Sequence, residues 1–186
     1  TSSWPRTPAP RPERPGNRPL APPGEQNGSM NIIDNGPLPN VFDLETATVE
    51  NTTYRTVAWT GRYLQVTLMS IPPGSSIGLE VHPETDQFVR IDAGRGQVLM
   101  GPAEDDLSFR ADVSDGWSVQ VPAGSWHDIV NTGEEDLRLY VVYAPSHHAS
   151  GIVQQTSADA ERDEDSGRDE PPSWTVQPSA PRDEKA

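Results

Sequence analysis

The sequence predicts an all-β fold, an antiparallel sandwich or a closed barrel, and three observations carry that expectation. Short runs rich in β-branched and aromatic residues recur between Tyr54 and Tyr143, turn signals separate them, and no helical period persists for any length. Several runs also alternate apolar with polar residues, as in Leu137-Arg138-Leu139-Tyr140-Val141, so one face of each strand is expected to be buried.

Taken in order, the first run, 54–59, ends at Thr60-Gly61, and the second, 63–71, ends at Pro72-Pro73-Gly74, where proline cannot donate to a strand ladder. A third strand is expected at 77–82 and a fourth at 87–92, closed by Ala93-Gly94. Runs at 96–100, 107–111 and 118–121 follow, the last of them after Asp115-Gly116. The tight turn Pro122-Ala123-Gly124 leads into 126–131, and Thr132-Gly133 precedes the final run, 137–143. Met30-Asn31-Ile32-Ile33 is the first place where apolar residues gather, so the folded domain is expected to span 30–150.

Outside that span the composition changes. Prolines crowd 5–23, and acidic and small polar residues dominate from Ser157 onward. The apolar content of 33% falls below the roughly 45 to 50% of a folded domain. Residues 1–29 therefore read as a Pro-rich disordered extension and 151–186 as an acidic, mostly disordered tail, with 157–162 able to form a turn of helix against the barrel.

The chain carries a net charge of −14, and residues 30–150 hold six Arg against seventeen Asp plus Glu. So acidic a body repels phosphate backbones and anionic lipid surfaces, so neither nucleic acid nor membrane is an expected partner. With no cysteine, disulfides and thiolate metal sites are excluded. No apolar run approaches the roughly 18 to 20 residues of a membrane span, and the N-terminal residues lack a signal-peptide stretch, so a soluble cytoplasmic protein is expected.

Chemistry concentrates at a few positions. Glu80 and His82 stand two apart on an expected strand and so share one face, with Ile77, Leu79 and Val81 on the other. A carboxylate beside an imidazole in a barrel interior is costly without a compensating partner, and a divalent cation is the commonest. His127 lies on a later strand. Asp86 has the opposite parity to Gln87 and should point away from the site. His147 and His148 follow the last strand and read as a solvated loop, and Trp126 should face away from His127.

Two spaced motifs run through these residues. The second reads Gly116, five residues, Pro122-x-Gly124, two residues, His127, three residues, Asn131. The first reads Gly74, five residues, Glu80-Val81-His82, four residues, Gln87, six residues, Gly94. Together they resemble the cupin superfamily, with every spacing kept and two ligand letters of the first motif changed. The resemblance is to a small single-domain bacterial cupin and implies a jelly roll closed into a barrel.

It also implies a divalent metal (Mn, Fe, Zn or Ni) held by Glu80, His82, Gln87 and His127, in a site whose formal ligand charge stays at minus one because the carboxylate has moved to the first position. Glu80 is then the candidate catalytic carboxylate as well. A homodimer paired through outer strands and a small-molecule substrate follow from the same resemblance. Three functions fit: a metal-dependent isomerase or epimerase of a sugar-like molecule, resembling mannose-6-phosphate isomerase-like cupins; a non-haem iron dioxygenase; or a non-catalytic module that holds a small ligand.

Overall fold

A computed structural model describes residues 32–177. The expectations for 1–29 and for the end of the tail fall largely or wholly outside those residues. Among the described residues no helix is long and apolar enough to cross a membrane.

The elements are α1 (Leu44–Glu50), β1 (Arg55–Thr60), β2 (Gln65–Ile71), β3 (Asp86–Ala93), β4 (Arg95–Gly101), β5 (Phe109–Ser114), β6 (Ser118–Val121), β7 (Trp126–Asn131), β8 (Leu137–Ala144), β9 (Val153–Gln154) and α2 (Ser157–Asp165). A six-stranded sheet runs β6-β3-β8-β2-β1-β9 and a three-stranded sheet runs β5-β4-β7, with every pairing antiparallel. This is the all-β jelly roll the sequence predicted.

Strand parity builds the interior. On β8, Leu137, Leu139, Val141 and Tyr143 are buried, while Arg138, Tyr140 and Val142 between them are partly exposed. They join Met69, Ile71, Val89, Ile91, Val98 and Ile129 in one core. Register then sorts this interior into rows. Val119, Val89, Val141 and Thr67 lie side by side across the sheet, and the row above them is Val121, Gln87, Tyr143 and Gln65. The lower row is almost wholly apolar and closes the core; the upper, all four of whose members are buried, introduces polar groups at one end of the barrel.

α1 was not expected, because seven residues make only two turns and show too little period to detect. Its readable signal is local: Asp43 accepts a hydrogen bond from the Thr46 N–H at 3.1 Å, the N-cap arrangement. The helix is held by packing, with Ala47 against Ala58 and Leu68 on the outer face of the large sheet, flanked by Phe42, Leu44 and Tyr140.

The expected strand at 77–82 is corrected. Gly78 has φ of 93°, a conformation that breaks an extended run and that glycine adopts without steric cost. What survives is two isolated bridges, Ser76 with Val130 and Glu80 with His127. The Tyr54 hydroxyl pins this loop by donating to the Ile77 carbonyl at 2.7 Å.

The disordered reading of the tail is corrected over 151–177, while the turn of helix expected at 157–162 is present as part of α2. β9 pairs with β1, and α2 begins in a capping box between Thr156 and Asp159. Ala160 enters the main core, and the Val176 N–H reaches the Arg62 carbonyl at 2.8 Å. Composition failed here because the tail adds few apolar groups and docks through polar ones. The motif residue Asn131 is structural, its amide donating to the carbonyls of Ile71 and Glu135 at 2.7 and 2.8 Å.

Candidate metal centre

The bridge between Glu80 and His127 creates the site. Their backbones exchange two hydrogen bonds, Glu80 N–H to the His127 carbonyl at 3.0 Å and the reverse at 2.9 Å. Residues paired this way carry their side chains on the same face as neighbours. The Glu80 Oε1 atom accordingly lies 3.3 Å from His127 Nε2 and 3.1 Å from His82 Nε2. Ligand atoms of all three residues fall within 4.8 Å of one another. The turn before β7 contributes as well, since the Gly124 N–H holds the His82 carbonyl at 2.9 Å.

The donor set fits a divalent cation. His127 is fully buried, and its Nδ1 sits 3.0 Å from the Ser125 carbonyl, so Nδ1 carries the proton and Nε2 presents its lone pair inward. His82 Nε2 is buried with no hydrogen-bond partner of good geometry, its Glu80 contact being one of charge and proximity. An orphaned imidazole nitrogen aimed at a carboxylate beside a second imidazole is a donor set that suits a divalent cation. Burial alone would raise the Glu80 carboxyl pKa, but the two imidazoles of His127 and His82 facing it hold it well below the usual carboxylate range.

Gln87 reaches the same place from β3. It is buried, with its amide nitrogen 3.1 Å from His127 Nε2. In that orientation it donates to His127, and ligation would use the amide oxygen after the group is turned over. Asp86 points outward, as its parity required, and accepts from the Ala123 N–H at 2.8 Å.

The solvated-loop reading of His147 and His148 is corrected. The His147 ring lies 4.1 Å from that of His82, edge to face, and stacks on Tyr143 at 5.8 Å. His148 is only 2% exposed, and its Nδ1 lies 2.9 Å from Asp169 Oδ2. Sequence spacing could not find this pair, because Asp169 comes from beyond α2. Burial pushes His147 down to about 3, with the His148 and His82 charges adding to it. Burial likewise pushes His148 down to about 4, aided by Arg55 and opposed by Asp169. Tyr143 is fully buried in the polar row and its phenol is raised for the same reason.

A second cluster of possible ligands, His148, Glu164 and Asp169, already has its cation. Arg55 Nη1 sits 3.3 Å from Glu164 Oε1 and 3.6 Å from Asp169 Oδ2, and also donates to Gln154 Oε1 at 3.1 Å. Beside this cluster a cleft of about 530 Å³ opens between the 74–80 loop and α2, with Glu80, Tyr54 and Arg55 among its lining residues.

The buried His148 predicts a pH dependence. Its folded pKa of about 4 lies below the ordinary 6.5, so the unfolded chain takes up the proton first as pH falls. The stability held by neutral His148 is therefore complete above pH 6.5 and drains away between 6.5 and about 4. Its upper limit is on the order of 3 kcal/mol. Thermal melts across that window should show a falling midpoint in the wild type and a shallower slope in His148→Gln. Equal slopes would remove His148 from the account.

Comparison with known proteins agrees with the fold. Residues 67–143 match the Cupin domain family. Uncharacterized protein YrkC of Bacillus subtilis is 51% identical over 140 residues, which is 75% of each chain. Uncharacterized protein L612 of Acanthamoeba polyphaga mimivirus is 34% identical over 123 residues, 66% of this chain and 75% of its own. Among solved structures, BH2720 of Bacillus halodurans superposes with a TM-score of 0.70 at 47% identity, covering 70% of this chain and 99% of that one. By its motifs, its barrel and these relatives, the chain belongs to the cupin family.

Proposed function

We propose that the chain is a metal-dependent enzyme that isomerises or epimerises a small polar, sugar-like molecule. The observation that carries the reading is the convergence of two imidazole Nε2 atoms on one oxygen of Glu80, at 3.1 and 3.3 Å, beside an open cleft. Glu80, His82 and His127 would hold a divalent cation (Mn, Fe, Zn or Ni), with the Gln87 amide oxygen as fourth ligand. Bound there, the ion would supply Lewis acidity toward a carbonyl or hydroxyl.

The chain's own groups supply the rest. Ser125 keeps the His127 proton on Nδ1. Tyr143 stays protonated and offers a hydrogen-bond donor. Glu80 stays ionised and borders the cleft, so a proton leaving a substrate there has an acceptor in it. His147, neutral at pH 7, can accept a hydrogen bond beside His82.

Protein purified without chelator is expected to carry about one divalent ion per chain by elemental analysis, and Glu80→Ala almost none, in keeping with a site of three principal ligands. If neither protein takes up Mn, Fe, Zn or Ni on loading, the reading fails. The set of two histidines and one carboxylate also supports a non-haem iron dioxygenase. Bound iron with oxygen uptake would favour that, and zinc or manganese without uptake would count against it. Ligand binding that survives metal removal would instead favour a non-catalytic module.

A further inference from the structure

We infer that α2 makes the cleft beside Glu80 a charge-selective vestibule, admitting neutral hydroxyl- and carbonyl-bearing molecules and disfavouring anions. The inference rests on the metal-site reading and deepens it by naming a substrate class.

One wall of the cleft is the 74–80 loop, and the other is Ser157, Ala160, Glu161 and Glu164 of α2. That second wall lies outside the residues 67–143 that match the cupin domain. Three carboxylates, Glu80, Glu161 and Glu164, line the cleft against a single cationic side chain, Arg55.

Arg55 does not offer its charge to an incoming anion. It is 3% exposed, and Nη1 alone already serves Gln154, Glu164 and Asp169 at 3.1, 3.3 and 3.6 Å. An anion would have to displace a carboxylate from a buried guanidinium, whose partners are costly to remove. What Arg55 keeps is its Nε–H, buried and without an acceptor. A neutral carbonyl or hydroxyl oxygen can satisfy that donor without bringing charge. Hydroxyl groups on the same molecule find acceptors in Glu164 and in the Tyr54 oxygen, whose own proton is committed to Ile77, while the exposed Glu161 acts through its charge alone. The complementary ligand is thus an uncharged polyhydroxy carbonyl compound, and a phosphorylated or carboxylated one meets like charge on α2.

The test uses full-length protein loaded with Co2+, whose visible spectrum reports added ligands, titrated with azide as the anion and fructose as the neutral probe. At low salt, Glu161→Gln/Glu164→Gln should tighten azide about tenfold, and Glu161→Lys alone about fivefold, as expected for like charges removed or reversed near a surface site. Fructose affinity should stay within about twofold in Glu161→Lys, since a neutral probe feels no net field. Glu161 is exposed, which keeps the single variant informative if the double variant misfolds. Unchanged azide affinity in Glu161→Lys, or parallel changes for azide and fructose, overturns the vestibule while the cobalt spectrum leaves the metal reading intact. Failure of the wild type to take up cobalt overturns the metal reading, and the vestibule with it.

Discussion

Replacing His127 with alanine is expected to lower divalent-metal affinity by at least about 100-fold, since losing an outer partner of a ligand already costs about 10- to 100-fold. Of the three residues that converge, His127 is held from three sides. Its backbone is locked to Glu80 by two hydrogen bonds, its Nδ1 is fixed by Ser125, and its Nε2 faces both Glu80 and Gln87. Alanine removes the donor and leaves the two backbone bonds in place, so the barrel should persist while the metal is lost. Competition against a chromogenic chelator measures this directly, with circular dichroism as the control for folding. A loss smaller than threefold would remove His127 from the coordination sphere. Gln87→Ala run alongside should lose less, because its amide is a weaker donor than imidazole toward transition metals.

Asp169→Ala is expected to be the most destabilising single change in the C-terminal segment. The Asp169 carboxylate is buried and accepts from the Ala149 N–H at 2.8 Å, from Gln154 at 3.2 Å and from His148 at 2.9 Å, with Arg55 at 3.6 Å. Burial alone would raise its pKa, yet His148 and Arg55 hold it at about 2, so it is ionised across the working range. Removing it strands the buried Arg55 charge with only the half-exposed Glu164 opposite, a type of change that costs about 3 to 5 kcal/mol. For a chain of this size that lowers the melting midpoint by on the order of 10 °C. Hydrogen exchange should show the loss concentrated in β9 and α2. A shift of less than about 2 °C, below what 1 kcal/mol produces, would mean the network contributes nothing net.

Strand positions were legible because inward and outward residues differ so sharply, and most expected runs fall within two residues of β1 to β8. The convergence of Glu80, His82 and His127 was legible because motif spacing fixes which positions face inward. The strand at 77–82 was misread because alternation there is real while Gly78 interrupts the hydrogen bonding, a backbone event that side-chain pattern does not report. His147 and His148 were missed for a different reason. Whether a histidine is buried depends on finding a partner, and their surroundings are assembled by Tyr143 and by Asp169 from the far side of α2. The tail itself was misread because composition detects apolar burial and is blind to docking through paired charges.

The placement of Arg55 has a consequence for how the protein is made. Its hydrogen-bonding partner Gln154 and its ion-pair partner Glu164 lie 99 and 109 residues further along the chain. A polypeptide emerging from the ribosome N-terminus first will therefore have delivered every strand of the barrel up to β8 while Arg55 still lacks all of them. Until β9 and α2 dock, the guanidinium lacks both the groups that cover it and those that pair with it, so it stays hydrated on the edge of the sheet. The docking of these C-terminal elements is thus the step that both buries and satisfies Arg55, which ties the β1 edge of the sheet to residues about a hundred positions away.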